Sequence, residues 1–160
     1  MDKKSIYAQI LEQLENNLDT LQRAVEAAYE RSTHTETKAE NKYDTFGLEA
    51  SYLAHGQSVR VQEIEHALMV YRTLRLTTFD EDTPIGLSAL VTLESEGGGQ
   101  NKVWLGSEAG GMKVEYKAEE VTIVTPQSPL GKKLMGRYQH DAFELNIQNK
   151  SVEYEIVSVV

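Results

Sequence analysis

Residues 5–31 run SIYAQILEQLENNLDTLQRAVEAAYER, and their spacing decides the first half of the fold. Tyr7, Leu11, Leu14, Leu18, Leu21, Val25 and Ala28 recur at alternating steps of four and three. That is the a/d seam of a coiled coil, sustained for about three heptads. The intervening positions are polar: Glu12, Gln13, Glu15, Asn16, Asp19, Gln22 and Glu26. No Gly or Pro interrupts the stretch, so one helix is expected over 5–31.

Residues 32–37, STHTET, carry four hydroxyl side chains. Hydroxyls compete for backbone groups, so this run is expected to break the helix and cap the next. Thr37 with Glu40 fits a capping box. Residues 38–75 return to helical spacing, with Val61, Ile64, Leu68 and Tyr71 forming a second seam. Ala50, Ala54 and Gln57 continue it weakly, and Gly47 and Gly56 interrupt it. A short connection makes the two helices antiparallel neighbours. The expectation is an antiparallel coiled-coil arm over 1–76, a protruding rod about 40 Å long, thinner toward the turn.

After an acidic linker at 77–84, TTFDEDTP, the period changes from helix to strand. LSALVTLES, NKVWLG, MKVEYKA, EVTIVT and two strands within FELNIQNKSVEYEIVSVV alternate or are rich in β-branched residues. SPLGKKLMG interrupts them as a short helix: Ser128 suits the cap, Pro129 the first turn and Gly136 the left-handed stop. Leu130, Leu134 and Met135 are expected to plug the sheet's core. The fold class is α+β: the coiled-coil hairpin, then a small antiparallel sheet domain over 85–160 with one short helix.

The 160-residue chain has a formal charge of −9 and no cysteine. Disulfides, thiol nucleophiles and thiolate metal sites are excluded, and a reducing, cytoplasmic location is expected. An acidic chain lacks the basic face that supplies non-specific duplex affinity, so free duplex DNA is not an expected partner. No run is long and apolar enough to span a membrane. The start, MDKKSIYAQILEQLENNL, lacks the apolar region of a secretory signal. His34, His55, His66 and His140 show no zinc-ligand spacing, EGGGQ at 96–100 is a hairpin turn and not a phosphate loop, and no G-x-S-x-G is present.

VTIVTPQSPLGKKLMGR, the closing VEYEIVSV and, in the arm, KAENKYD and VQEIEHAL resemble the bacterial Gre transcript-cleavage factors (GreA/GreB). The resemblance covers nearly the whole chain and is strongest at 121–138 and 152–159. It implies an FKBP-like second half and RNA polymerase as partner, with the nascent RNA 3′ end inside that complex. The sheet domain would dock at the rim of the secondary channel through Ser128, Pro129, Leu130, Gly131, Lys132 and Lys133. The arm tip would bring Glu36, Glu40 and Asp44 to the active site, Glu36 and Glu40 helping to hold an Mg²⁺ shared with polymerase. Lys38, Asn41, Lys42 and Tyr43 would contact RNA there. The protein would then be no enzyme itself and hold no stable cofactor. It would stimulate polymerase's own two-metal hydrolysis of backtracked transcripts.

The acids stand at steps of four, which puts their side chains about 5–6 Å apart on a helix. Two carboxylates at ~6 Å repel by roughly 3 kcal/mol at an effective dielectric near 20, a penalty a divalent cation removes. The plainer account is that Glu40 completes a capping box and that acids favour a helix's first turn. Lys38 and Lys42 are equally explained as helix-surface charges, and Tyr43 by packing on the arm. The Gre pattern places an Asp three residues before the Glu of E-N. That position is Thr37 here, so the acid pair is incomplete. A non-cleaving regulator that occupies the channel is the alternative. A remoter one is an FKBP-like prolyl isomerase or chaperone, which needs an aromatic-lined pocket.

Overall fold

In a computed structural model of the chain, the two apolar seams become two long helices, α1 (Lys3–Glu36) and α2 (Thr45–Thr73). The description covers residues 2–36, 45–147 and 150–160. The side chains of 31–36, 45–51, 54 and 147 lie outside it. α1 continues through the hydroxyl run to Glu36, beyond the break expected at 32. α2 starts at Thr45 and passes Gly47 and Gly56 without interruption. Its expected start at 38 and the Thr37–Glu40 capping box lie outside the described residues.

The chain divides into two compact units, 12–69 and 1–11 with 70–160. Within 12–30, the residues shielded from solvent are Leu14, Leu18, Leu21, Val25, Ala27 and Ala28. That is the heptad seam plus one alanine beside it. On α2 up to Met69 the shielded residues are Gln57, Val61, Ile64, Ala67 and Leu68, while Tyr52, Leu53 and Val59 stay exposed. Burial is deep at Leu14, Ile64 and Leu68 and shallow further along both helices. The apolar content of the seam explains the gradient, because the part of α2 before Val61 offers small or polar seam residues.

The other unit centres on a six-stranded sheet of β1 (Leu90–Ser95), β2 (Gln100–Leu105), β3 (Lys113–Tyr116), β4 (Glu119–Val124), β5 (Ala142–Ile147) and β6 (Lys150–Val159). The spatial order is β3-β4-β2-β1-β6-β5. Four pairings are antiparallel and one, β2 with β4, is parallel. The sheet is therefore mixed where the sequence led us to expect only antiparallel neighbours. The cause is local: a two-residue turn at Lys117–Ala118, both with positive φ (52° and 63°), folds β4 back between β3 and β2. Positive φ at both central residues is the signature of a type I′ hairpin.

Alternation gives the sheet two buried faces. Val91, Leu93, Val103, Leu105 and Val124 join Leu134, Phe143 and Ile156 in one core. The register puts Leu90, Trp104 and Ile123 on the other face, all buried. The first turns of α1 cover that face: Ile6 and Ile10 are fully buried, and the Tyr7 ring stacks on Trp104 at 6.3 Å. Tyr7 Oη donates to Tyr71 O at 2.5 Å, so the start of α1 lies beside the end of α2 and the helices run antiparallel. Tyr71 Oη donates to Glu108 O at 3.1 Å. Burial, with the nearby Glu108 charge, holds its phenol protonated well above the ordinary range.

The acidic linker is tied down. Phe79, its one apolar side chain, is buried in the sheet's core. Lys3 Nζ donates to Thr77 O and sits 4.5 Å from the centre of the Phe79 ring. Burial lowers the Lys3 ammonium to a pKa of about 8, even though the carbonyl and the ring favour its charged form.

Candidate functional site

Two stretches carry the sequence-derived site residues. In the connection between α1 and α2, Glu36 is the last residue of α1, with its side chain outside the described set. Thr37, Lys38, Glu40, Asn41, Lys42, Tyr43 and Asp44 lie outside the described residues. Among the described residues, no group of three or more His, Asp or Glu side chains is placed to hold a metal. What is established is the frame: a 34-residue helix and a 29-residue helix, antiparallel, on either side of that stretch.

The other stretch is α3 (Pro129–Leu134), and its geometry follows from its letters. Ser128 caps it in an extended conformation, its Oγ accepting from Gly131 N at 3.0 Å and donating to Thr125 O at 2.7 Å. Pro129 occupies the first turn, where its missing N–H costs nothing. A Cβ built on Gly131 would lie 1.9 Å from Thr125 O, so only glycine lets α3 approach the end of β4 this closely. Gly136 ends the element at φ 76°, its N–H donating to Ile85 O at 2.9 Å.

These contacts divide the six docking candidates. Ser128, Gly131 and Leu130 hold α3 to the sheet, with Leu130 packed partly buried against the core. Pro129, Lys132 and Lys133 face solvent. Leu134 is fully buried as expected, whereas Met135 is 42% exposed and is no core plug. A six-residue helix has room for one inward stripe, and Leu130, Gly131 and Leu134 fill it. Met135 falls at the C-cap with φ −52° and ψ 125°, outside the helical period that would have turned it inward. Tyr138, 43% exposed, follows two residues after Gly136. The exposed face of this region is thus Pro129, Lys132, Lys133, Met135 and Tyr138, two cations among apolar groups. Sequence reasoning missed Met135 and Tyr138 as surface. The only available signal was the shortness of the helix between Pro129 and Gly136.

No family model matches the chain, and no curated protein matches it. Solved structures do. The GreA factor homolog 1 (Gfh1) of Thermus thermophilus is 21% identical, over 94% of this chain and 94% of that one, with a TM-score of 0.40. Thermus aquaticus Gfh1 is 24% identical over 92% of each chain, with a TM-score of 0.41. A GreA/GreB elongation factor from Nitrosomonas europaea is 18% identical over 70% of this chain and 93% of that one, with a TM-score of 0.36. The chain is similar to these Gre-family structures along most of its length.

Proposed function

We propose that this protein is a Gre-type transcription elongation factor that binds bacterial RNA polymerase at its secondary channel. The observation that carries the proposal is the pair of antiparallel helices flanking the acid-bearing stretch 36–44, followed in the same chain by the Ser-Pro-capped α3 on a sheet. In this reading Glu36, Glu40 and Asp44 serve an Mg²⁺ that polymerase supplies, and Lys38, Asn41, Lys42 and Tyr43 meet the RNA 3′ end. Carboxylates a helical turn apart suit such a shared ion, since Mg²⁺ takes one or two protein carboxylates and completes its shell with water and phosphate. The exposed Pro129, Lys132 and Lys133, with Met135, form the docking face. Reversing the charge of Lys132 and Lys133 together tests docking. Polymerase core labelled with a fluorophore should lose affinity for this variant by about tenfold or more. Unchanged affinity removes α3 from the interface.

Thr37 favours a second reading, since the Gre pattern has an acid there. A factor lacking one of the paired carboxylates would occupy the channel without promoting hydrolysis. Binding without Mg²⁺-dependent cleavage is its signature.

A further inference from the structure

β5 is a sheet edge, and among the described residues no strand lies beyond it. Arg137 Nη1 donates to Ala142 O at 3.2 Å, from a residue that is not in β6, which places the Ala142 carbonyl on the free side of β5. Residues of a strand alternate in the direction of their backbone groups. Glu144 and Asn146 therefore turn their N–H and C=O groups to the same free side. Arg137 covers the Ala142 end of that row and leaves the Asn146 end open.

The open end borders a groove of about 680 Å³, within the range of ligand-binding clefts. Its apolar lining is Ile123, Val124, Pro129, Leu130 and Leu145. Asn146 lines it as well. Leu145 and Asn146 point to opposite faces of the sheet, so the edge of β5 itself forms one wall. None of the residues lining the groove is charged. On a chain in which 26% of residues are charged, that is a selective feature. It disfavours a charged occupant, whose ions would be partly desolvated with no counter-charge.

We propose that this groove takes an extended, uncharged peptide segment of a partner protein, added to β5 as a short strand. Asn146 and Glu144 supply the backbone ladder, and the apolar floor receives alternate side chains of the guest. A helix satisfies its own backbone and gains nothing from the ladder, so the two unpaired residues select a strand. The proposal shares Pro129 with the docking face of the polymerase reading but rests on other observations, the free edge of β5 and the uncharged floor beside it.

The probe is fluorescein-labelled acetyl-Ser-Val-Thr-Val-Ser-amide, followed by anisotropy on the full chain and by amide shifts in ¹⁵N spectra. Saturable binding is expected, with shifts at Glu144, Asn146 and Leu130. Asn146→Pro removes one outward N–H and should weaken binding about tenfold at an unchanged melting temperature, as losing a hydrogen bond from the ladder does. Leu145→Lys should also weaken binding by charging the floor, with a lower melting temperature because Leu145 packs against the core. The peptide with both valines replaced by lysine should fail to bind. Absence of saturation, equal affinity in Asn146→Pro, or equal binding of the lysine peptide overturns the proposal.

Discussion

Lys3 shows how a single side chain couples charge to folding. Its folded-state pKa, lowered by burial to about 8 against 10.5, means that the folded chain binds fewer protons than the unfolded chain between those values. Its contribution to stability then rises as pH climbs from 8 toward 10.5, while the raised Tyr71 phenol works the opposite way once pH nears 10, because the unfolded chain gives up that proton first. Urea midpoints taken from pH 8 to about 9.5, below the ordinary tyrosine range, should increase for the wild type, and this component should vanish in Lys3→Met. A second residue-scale effect is cross-strand repulsion. Glu144 stands directly opposite Glu153, and Glu94 opposite Glu155. Like charges in that position destabilise a sheet. Glu153→Gln should stabilise the fold by about 0.2–1 kcal/mol in low salt, seen as a higher urea midpoint that added salt diminishes. Ala118 carries φ 63° at the β3–β4 turn, a conformation costly to a residue with a Cβ. Ala118→Gly should stabilise by about 1 kcal/mol, and a loss on chemical denaturation would show that the turn is not held as described.

At the scale of elements, the helices were the legible part. A strict 3-4 repeat from Tyr7 to Ala28 leaves little choice of period, and from Leu14 onward the shielded residues follow it, whereas Ile6 and Ile10, the most buried of the described side chains of α1, lie off the seam. The helix ends were less legible. Hydroxyl residues tolerate a final helical turn as readily as they break one, so α1 runs to Glu36. Strand positions in the second half followed from alternation, but strand direction did not: Val103 and Trp104 alternate identically beside a parallel or an antiparallel neighbour. The β2–β4 pairing depends on the Lys117–Ala118 turn, whose residue types do not announce positive φ. Phe79 was hidden by its acidic neighbours, although one aromatic residue in a polar linker is itself a packing signal. The helix seam makes a further prediction. Gly56 lies inside α2 with open space where a Cβ would point. Gly56→Ala should therefore stabilise by roughly 0.5–1 kcal/mol, and Leu53→Ser, at a 60% exposed position, should shift stability by less than about 0.5 kcal/mol. Circular dichroism melts of both variants check the pair.

For the whole molecule, the candidate site was legible only through its pattern of letters. The Ser128 cap, the Pro129 start and the Gly136 stop each landed where local backbone chemistry required. In the proposed reading, the carboxylates of the connection act on a metal that polymerase supplies. The proposed activity therefore belongs to a complex, and the decisive readout is the rate of transcript shortening in stalled, backtracked polymerase complexes with Mg²⁺ present. Our account predicts that adding the wild-type protein accelerates release of the 3′ fragment. It also predicts that Glu40→Ala removes most of this acceleration while polymerase affinity is kept. A rate that is the same with and without the protein, or the same for wild type and Glu40→Ala, contradicts it.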